Sequence, residues 1–194
     1  MVSVPRAVRF PVELAPPAGF DPARIDTWPK VEGRLEFVEG RLLFMPPCGD
    51  LQQDTAADVV YVLMSWARGH DDFVVAGNEA GIRLGGDSRG ADAAVFRRDA
   101  ATGYTGGFRR VPPVLAVEVA GEDEDEAALA EKARWYLDHG AEAVWLLFPR
   151  AREAIVVDGA GATRHRADDR LREVASLPGL APKACELFEQ ITRP

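Results

Sequence analysis

The sequence predicts an α/β or α+β domain built on one central sheet with helices packed upon it. Three observations carry this: strand-like runs punctuated by glycine, two longer segments with apolar residues at three- and four-residue spacing, and an order in which the two kinds alternate. At 194 residues, 47% hydrophobic and 28% charged, the chain has the length and composition of one medium globular domain. Residues 1–30 read as an extended arm and residues 31–194 as that single domain.

In the arm, Pro5, Pro11, Pro16, Pro17, Pro22 and Pro29 are too many for a regular helix or a central strand, so an extended path with one helical turn is expected. Leu35 to Glu39 and Arg41 to Met45 then form an N-terminal hairpin around Gly40, ended by Pro46-Pro47. From Asp50 to Arg68, Ala56, Val59, Val60, Leu63, Met64 and Ala67 recur at helical spacing, with Gly69 as the expected cap. Phe73 to Ala76, Gly81 to Leu84 and Ala91 to Arg97 read as short strands, with Gly85 to Gly90 as a turn between the last two. Pro113 to Ala120 is a mostly apolar strand suited to the sheet interior. The intervening Asp99 to Arg110 is a glycine-rich loop expected to be mobile. A second helix is expected from Asp125 to His139, with acids at its positive N-terminal end and Gly140 just beyond its C-terminal end. Glu142 to Phe148 and Ala154 to Val157 are further strands, and a short helix over Cys185, Leu187 and Phe188 closes the chain.

Several function classes are set aside by what the chain lacks. No apolar run approaches the length of a membrane span, and the first residues lack the apolar core of a secretory signal, so a cytoplasmic protein without membrane contact is expected. Cys48 and Cys185 have no ligand-like spacing and read as reduced thiols. There is no phosphate-loop motif, no serine-hydrolase elbow around Ser3, Ser65, Ser88 or Ser176, and no ligand spacing among His70, His139 and His165. The formal net charge of -8 argues against a protein that coats DNA. Arg83, Arg89, Arg97, Arg98, Arg109 and Arg110 cluster in the middle third and read as a solvated face.

What survives is a set of acids in apolar surroundings. Asp92 opens the run Ala91-Asp92-Ala93-Ala94-Val95-Phe96, and Glu118 lies inside Val114 to Ala120. Burying a carboxylate costs several kcal/mol unless it is paired, hydrogen-bonded or bound to a metal. Strand alternation places Glu118 between Ala116 and Ala120 on one face, where small neighbours leave room for an ion, a water or a phosphate. Two carboxylates about 4 Å apart repel by roughly 4 kcal/mol at an effective dielectric near 20, which a shared magnesium or manganese ion would relieve. Lys132 sits at the edge of the apolar stripe Leu129, Ala133, Tyr136 and Leu137, from which its ammonium could reach a neighbouring site or pair with an acid at the surface. Glu36, between Leu35 and Phe37, is either a further member of the set or an exposed strand residue.

The stretches Leu35 to Leu42 with Met45-Pro46-Pro47, Gly90 to Phe96, Val117-Glu118-Val119, Glu131 to Tyr136 and Ala143 to Leu146 together resemble the bacterial Uma family of restriction-endonuclease-like proteins, within the PD-(D/E)XK nuclease superfamily. The resemblance spans roughly residues 30 to 190. It implies a restriction-endonuclease-like central mixed sheet flanked by helices, an acidic site for Mg2+ or Mn2+, and hydrolysis of DNA phosphodiester bonds. In that scheme Asp92 and Glu118 match the two acids of the motif, Lys132 the lysine on the following helix, and Glu36 an additional upstream acid; Asp92, Glu118 and Glu36 would hold the metal. A homodimer is a further expectation, because cutting both strands of a duplex needs two sites. The chain departs from the pattern at Ala91, where a proline is expected, and at Ala120, where the superfamily places its lysine. It also has Gln52 or Gln53 in place of a histidine, and the run Glu122-Asp123-Glu124-Asp125-Glu126 where fewer acids are usual. That run is expected to cap the second helix and face solvent. Two functions follow: a metal-dependent DNA nuclease, or a catalytically silent module of the same fold that binds or assembles.

Overall fold

Strands β1 (Val12–Leu14), β2 (Arg34–Val38) and β3 (Arg41–Met45) precede helix α1 (Asp50–Ala67). Strands β4 (Phe73–Leu84), β5 (Asp87–Arg97) and β6 (Leu115–Val119) lead to helix α2 (Glu126–Asp138), followed by β7 (Ala143–Phe148), β8 (Glu153–Asp158) and β9 (Gly161–Arg166). These come from a computed structural model that describes residues 10–103, 106–122 and 124–192, so Pro5 of the arm and Asp123 of the acidic run lie outside the described residues. All nine strands join one mixed sheet in the order β1-β3-β2-β5-β6-β7-β8-β9, with β4 paired to β5.

Among the strands described, β6 and β7 alone pair parallel, with α2 as the crossover between them. The sheet is therefore covered on both faces around its centre. On one side Val59 and Leu63 of α1, together with Leu177, Leu187 and Phe188 of the C-terminal segment, pack against Ala93, Val95, Leu115, Val117 and Trp145. On the other side Leu129, Ala133 and Tyr136 of α2 pack against Ala94, Phe96, Ala116 and Leu146. Both β5 and β6 are buried along almost their whole length, so a charge placed there has no water to turn to.

The expected hairpin turns at Glu39 and Gly40, both with positive φ (50° and 78°), the geometry that matches the twist of paired strands. The helix after it ends where expected. Gly69, however, donates its N–H to the Trp66 carbonyl at 3.1 Å without adopting the left-handed conformation expected of a cap. At the end of α2, Gly140 does adopt it (φ 95°), and the Ala141 N–H reaches the Tyr136 carbonyl at 2.9 Å. The one helical turn of the arm is Ile25–Thr27, and the expected C-terminal helix is the short 3-10 helix Ala184–Phe188.

The arm is extended where it forms β1, an edge strand that pairs with β3 from Val12 to Leu14. Three expectations are corrected here. Phe73 to Ala76 and Gly81 to Leu84 are one twelve-residue strand, interrupted by a bulge between Gly77 and Ala80 that breaks the apolar pattern. The turn expected at Gly85 to Gly90 is confined to Gly85 and Gly86, and Asp87 to Gly90 already belong to β5. The arginines of the middle third are not one solvated face: Arg89 is buried, Arg83 donates to the Pro22 carbonyl and Ser88, and Arg109 lies over the Phe96 ring. Strand β9 carries no apolar alternation and was not expected at all.

Candidate active site

Strands β5 and β6 pair antiparallel with Ala93 opposite Val117 and Ala94 opposite Ala116. Continuing that register by one step sets Asp92 opposite Glu118 where the two strands part. Glu118 projects to the α2 face, where Lys132 and Tyr136 meet it, whereas Asp92 is met by Gln52 of α1. Neither acid is decoration: Asp92 is 5% and Glu118 1% exposed.

Asp92 Oδ2 accepts the Val119 N–H at 2.7 Å, so one carboxylate oxygen caps the end of β6. Its Oδ1 is held only loosely, 3.5 Å from Arg34 and 3.4 Å from Gln52 Nε2. Gln52, in the first turn of α1, also donates to the Val119 carbonyl at 3.0 Å and so ties that helix to the strand end. Of Gln52 and Gln53, Gln52 is the one whose side chain reaches the site, while Gln53 donates to the Cys48 carbonyl. Burial pushes the Asp92 carboxyl above its usual range, and Arg34 and the Val119 amide offset this only in part.

Glu118 is gripped from α2 by two residues one helical turn apart. Lys132 Nζ donates to Oε2 at 3.1 Å and the Tyr136 hydroxyl donates to Oε1 at 2.7 Å. Burial nevertheless pushes the Glu118 carboxyl up to about 7, against the pull of Lys132 and with the help of the Asp92 and Glu36 charges. Lys132 is buried rather than a surface lysine. Burial opposes its charge, but Glu118 and Glu124 outweigh that and hold the ammonium firmly protonated.

Glu124 corrects the reading of the acidic run. It does not face solvent: it accepts from Lys132 at 2.6 Å through Oε1 and from the Gly121 N–H at 2.9 Å through Oε2. The helix-capping role falls to Asp125, which accepts the Ala128 N–H at 2.9 Å, while Glu122 is exposed and pairs with Arg150.

Glu36 is buried, not an exposed strand residue. Both its oxygens are engaged, one by Arg89 at 2.8 Å and the other by the Gly90 N–H at 3.2 Å. It lies close enough to act electrostatically on Glu118 and Lys132. At the rim the β4 bulge holds Glu79 at φ 57°, a conformation unusual for this residue and common beside functional sites. Glu79 Oε1 is thereby 3.4 Å from Arg34 and accepts from the Cys48 thiol at 3.5 Å.

The cluster joins five carboxylates (Glu36, Glu79, Asp92, Glu118 and Glu124) to three cations (Arg34, Arg89 and Lys132). With all five acids ionised the cluster carries two surplus negative charges in largely buried surroundings, which fits a divalent cation. Among the described residues no three His, Cys, Asp or Glu side chains converge as a complete ligand cage. Two hard carboxylates that leave the remaining positions to water and substrate are the donor set magnesium commonly takes. The structure thus brings Asp92, Glu118 and Lys132 together with Glu36 behind them. It adds Glu124, Gln52, Tyr136 and Arg34, of which Gln52 and Glu124 stand in the sequence only as departures from the pattern and Tyr136 only as part of the α2 apolar stripe.

A family model described as "Putative restriction endonuclease", Uma2, matches residues 22–184. A solved structure described as a putative nuclease belonging to DUF820, from Anabaena variabilis ATCC 29413, is similar with a TM-score of 0.75 and 19% identity. The match covers 88% of this chain and 98% of that one, and at this identity it shows a shared fold. Comparison with curated proteins gives no match.

Proposed function

Because the chain belongs to the Uma2 family, described as putative restriction endonucleases, we propose that it is a divalent-cation-dependent nuclease whose site is Asp92, Glu118 and Lys132. The observation that carries this reading is the clamped Glu118: a fully buried carboxylate held by Lys132 and Tyr136 beside Asp92, in a cluster short of positive charge. A stabilising ion pair would balance its charges. This one does not, and sites that carry such a strained balance are more often functional than structural.

Asp92 and Glu118 would hold Mg2+ or Mn2+, with Glu36 standing behind them, held in place by Arg89 and the Gly90 N–H. When bound, the ion would polarise a phosphate oxygen and lower the pKa of a bound water. The chain's residues do the rest. Lys132, kept charged by Glu118 and Glu124, offers a fixed positive charge where negative charge builds on phosphorus. Tyr136 fixes the Glu118 carboxylate from the opposite side, and Gln52 and the Val119 amide fix Asp92.

The test is incubation of purified protein with supercoiled and single-stranded DNA in Mg2+ or Mn2+, beside Asp92→Ala and Glu118→Ala. Cleavage that requires the ion and disappears in both variants is expected. Cleavage that persists equally in the variants, or none by the wild type with either ion, would contradict the reading.

A further inference from the structure

A groove of about 490 Å³ opens directly from Asp92 and runs along the outer side of α1 to Tyr61. Ala56, Ala57 and Val60 form its floor, Glu79 stands at its rim beside Asp92, and Tyr61 closes the far end. Tyr61 is 72% exposed, the most exposed of the large hydrophobic residues among those described. The α1 wall is set firmly against β4: a β-carbon at Gly77 would lie 2.8 Å from Val60 Cγ2. The groove therefore has a fixed shape, an aromatic ring at one end and the candidate active site at the other.

Its charge narrows the occupant. The charged groups that line it, Glu79 and Asp92, are acids that already share Arg34, so it offers a phosphate no free cation. A net charge of -8 also leaves little to hold a long polyanion by its backbone. An apolar slot with small side chains, a ring at the rim and one accessible carboxylate, Glu79, that can accept from an exocyclic amino group suits a nucleobase seen by its face and edge. A base inside a duplex cannot enter such a slot, because it is already stacked and paired.

We propose that this groove is a subsite for one unpaired nucleobase next to the phosphate to be cut, which makes the substrate class single-stranded or locally opened nucleic acid. The inference deepens the nuclease reading and rests on it for the position of that phosphate. Affinity then comes from stacking on Tyr61 and not from tracking the backbone, so binding depends only shallowly on salt.

The experiment measures binding of a fluorescein-labelled oligodeoxyadenylate and of its duplex with oligothymidylate, in EDTA so that no turnover occurs, across a salt series. Wild type, Tyr61→Phe, Tyr61→Ala and Ala57→Trp are compared, with circular dichroism melts to show that each is folded. The single strand is expected to bind at least about tenfold more tightly than the duplex. Tyr61→Ala and Ala57→Trp are expected to lose about tenfold, as for loss of one stacked base, while Tyr61→Phe keeps the affinity. Duplex binding equal to single-strand binding, no binding by the wild type, or wild-type affinity in folded Tyr61→Ala would overturn the subsite. So would a concentration-dependent dimer that Tyr61→Ala weakens and the oligonucleotide does not compete with, since the occupant would then be a second copy of the chain. The expected binding without metal-dependent cleavage would leave the subsite standing and remove the nuclease reading instead.

Discussion

Lys132 answers to two buried carboxylates at once, and this is where single substitutions should speak most clearly. Removing its charge in Lys132→Met leaves Glu118 and Glu124 without their cation, a change that costs about 3–5 kcal/mol in comparable buried pairs. Urea denaturation should show this loss, and Lys132→Met with Glu118→Gln should recover part of it; strictly additive losses would mean the two do not interact. Glu118 makes a second claim through pH. Its folded-state pKa of about 7 lies above the ordinary 4.5, so between those values the native protein binds more protons than the unfolded chain. The stability it contributes is fully present below about 4.5 and lost as pH rises through about 7. Measured against Glu118→Gln, wild-type stability should fall over that window, and a flat difference would contradict the shift. Asp92, Glu118 and Lys132 were legible because each breaks a local rule, a charge in or against an apolar run. Glu124 was not, because in sequence it is one acid among five, and only the turn at Gly121 aims it inward. Arg34 and Tyr136 look like ordinary members of a hairpin strand and an apolar stripe until the fold points them at Asp92 and Glu118.

At the scale of elements, the site is made by three junctions: the parting of β5 from β6, the α2 face that supplies Lys132 and Tyr136, and the first turn of α1 that supplies Gln52. The α1 junction depends on Gly77, whose missing side chain lets Val60 seat against β4. Gly77→Ala should cost about 1–3 kcal/mol through overpacking, and Val60→Ala should relieve it in the double variant. A neutral Gly77→Ala in thermal denaturation would show that α1 can move freely off the sheet. Similarly, Asp125→Ala should cost about 1 kcal/mol by removing the α2 cap and leave ordinary helix content in circular dichroism. The helices and the β6 strand were readable from periodicity alone. The bulge in β4 was not, since a skipped register looks in sequence like the end of one strand and the start of another. The pairing of β1 and the presence of β9 likewise depend on neighbours across the sheet, not on their own residues.

For the molecule as a whole, the acid surplus at one end of a well-packed sheet sits in a chain already carrying a net charge of -8. No helix among the described residues is long and apolar enough to cross a membrane. A cation that binds only the folded state should raise the melting temperature with the logarithm of its free concentration once that exceeds Kd, and more above pH 7, where Glu118 is ionised, than at pH 5. The central claim is that Asp92 and Glu118 are held apart from full neutralisation so that a divalent ion can complete them. Calorimetric titration of Mn2+ into the purified protein near pH 7, in two buffers of different ionisation enthalpy, tests it most directly. Binding of one ion with release of protons is expected, with the proton release lost in Glu118→Gln and the binding lost or strongly weakened in Asp92→Asn. No heat of binding in the wild type, or the same affinity in both variants, would contradict it.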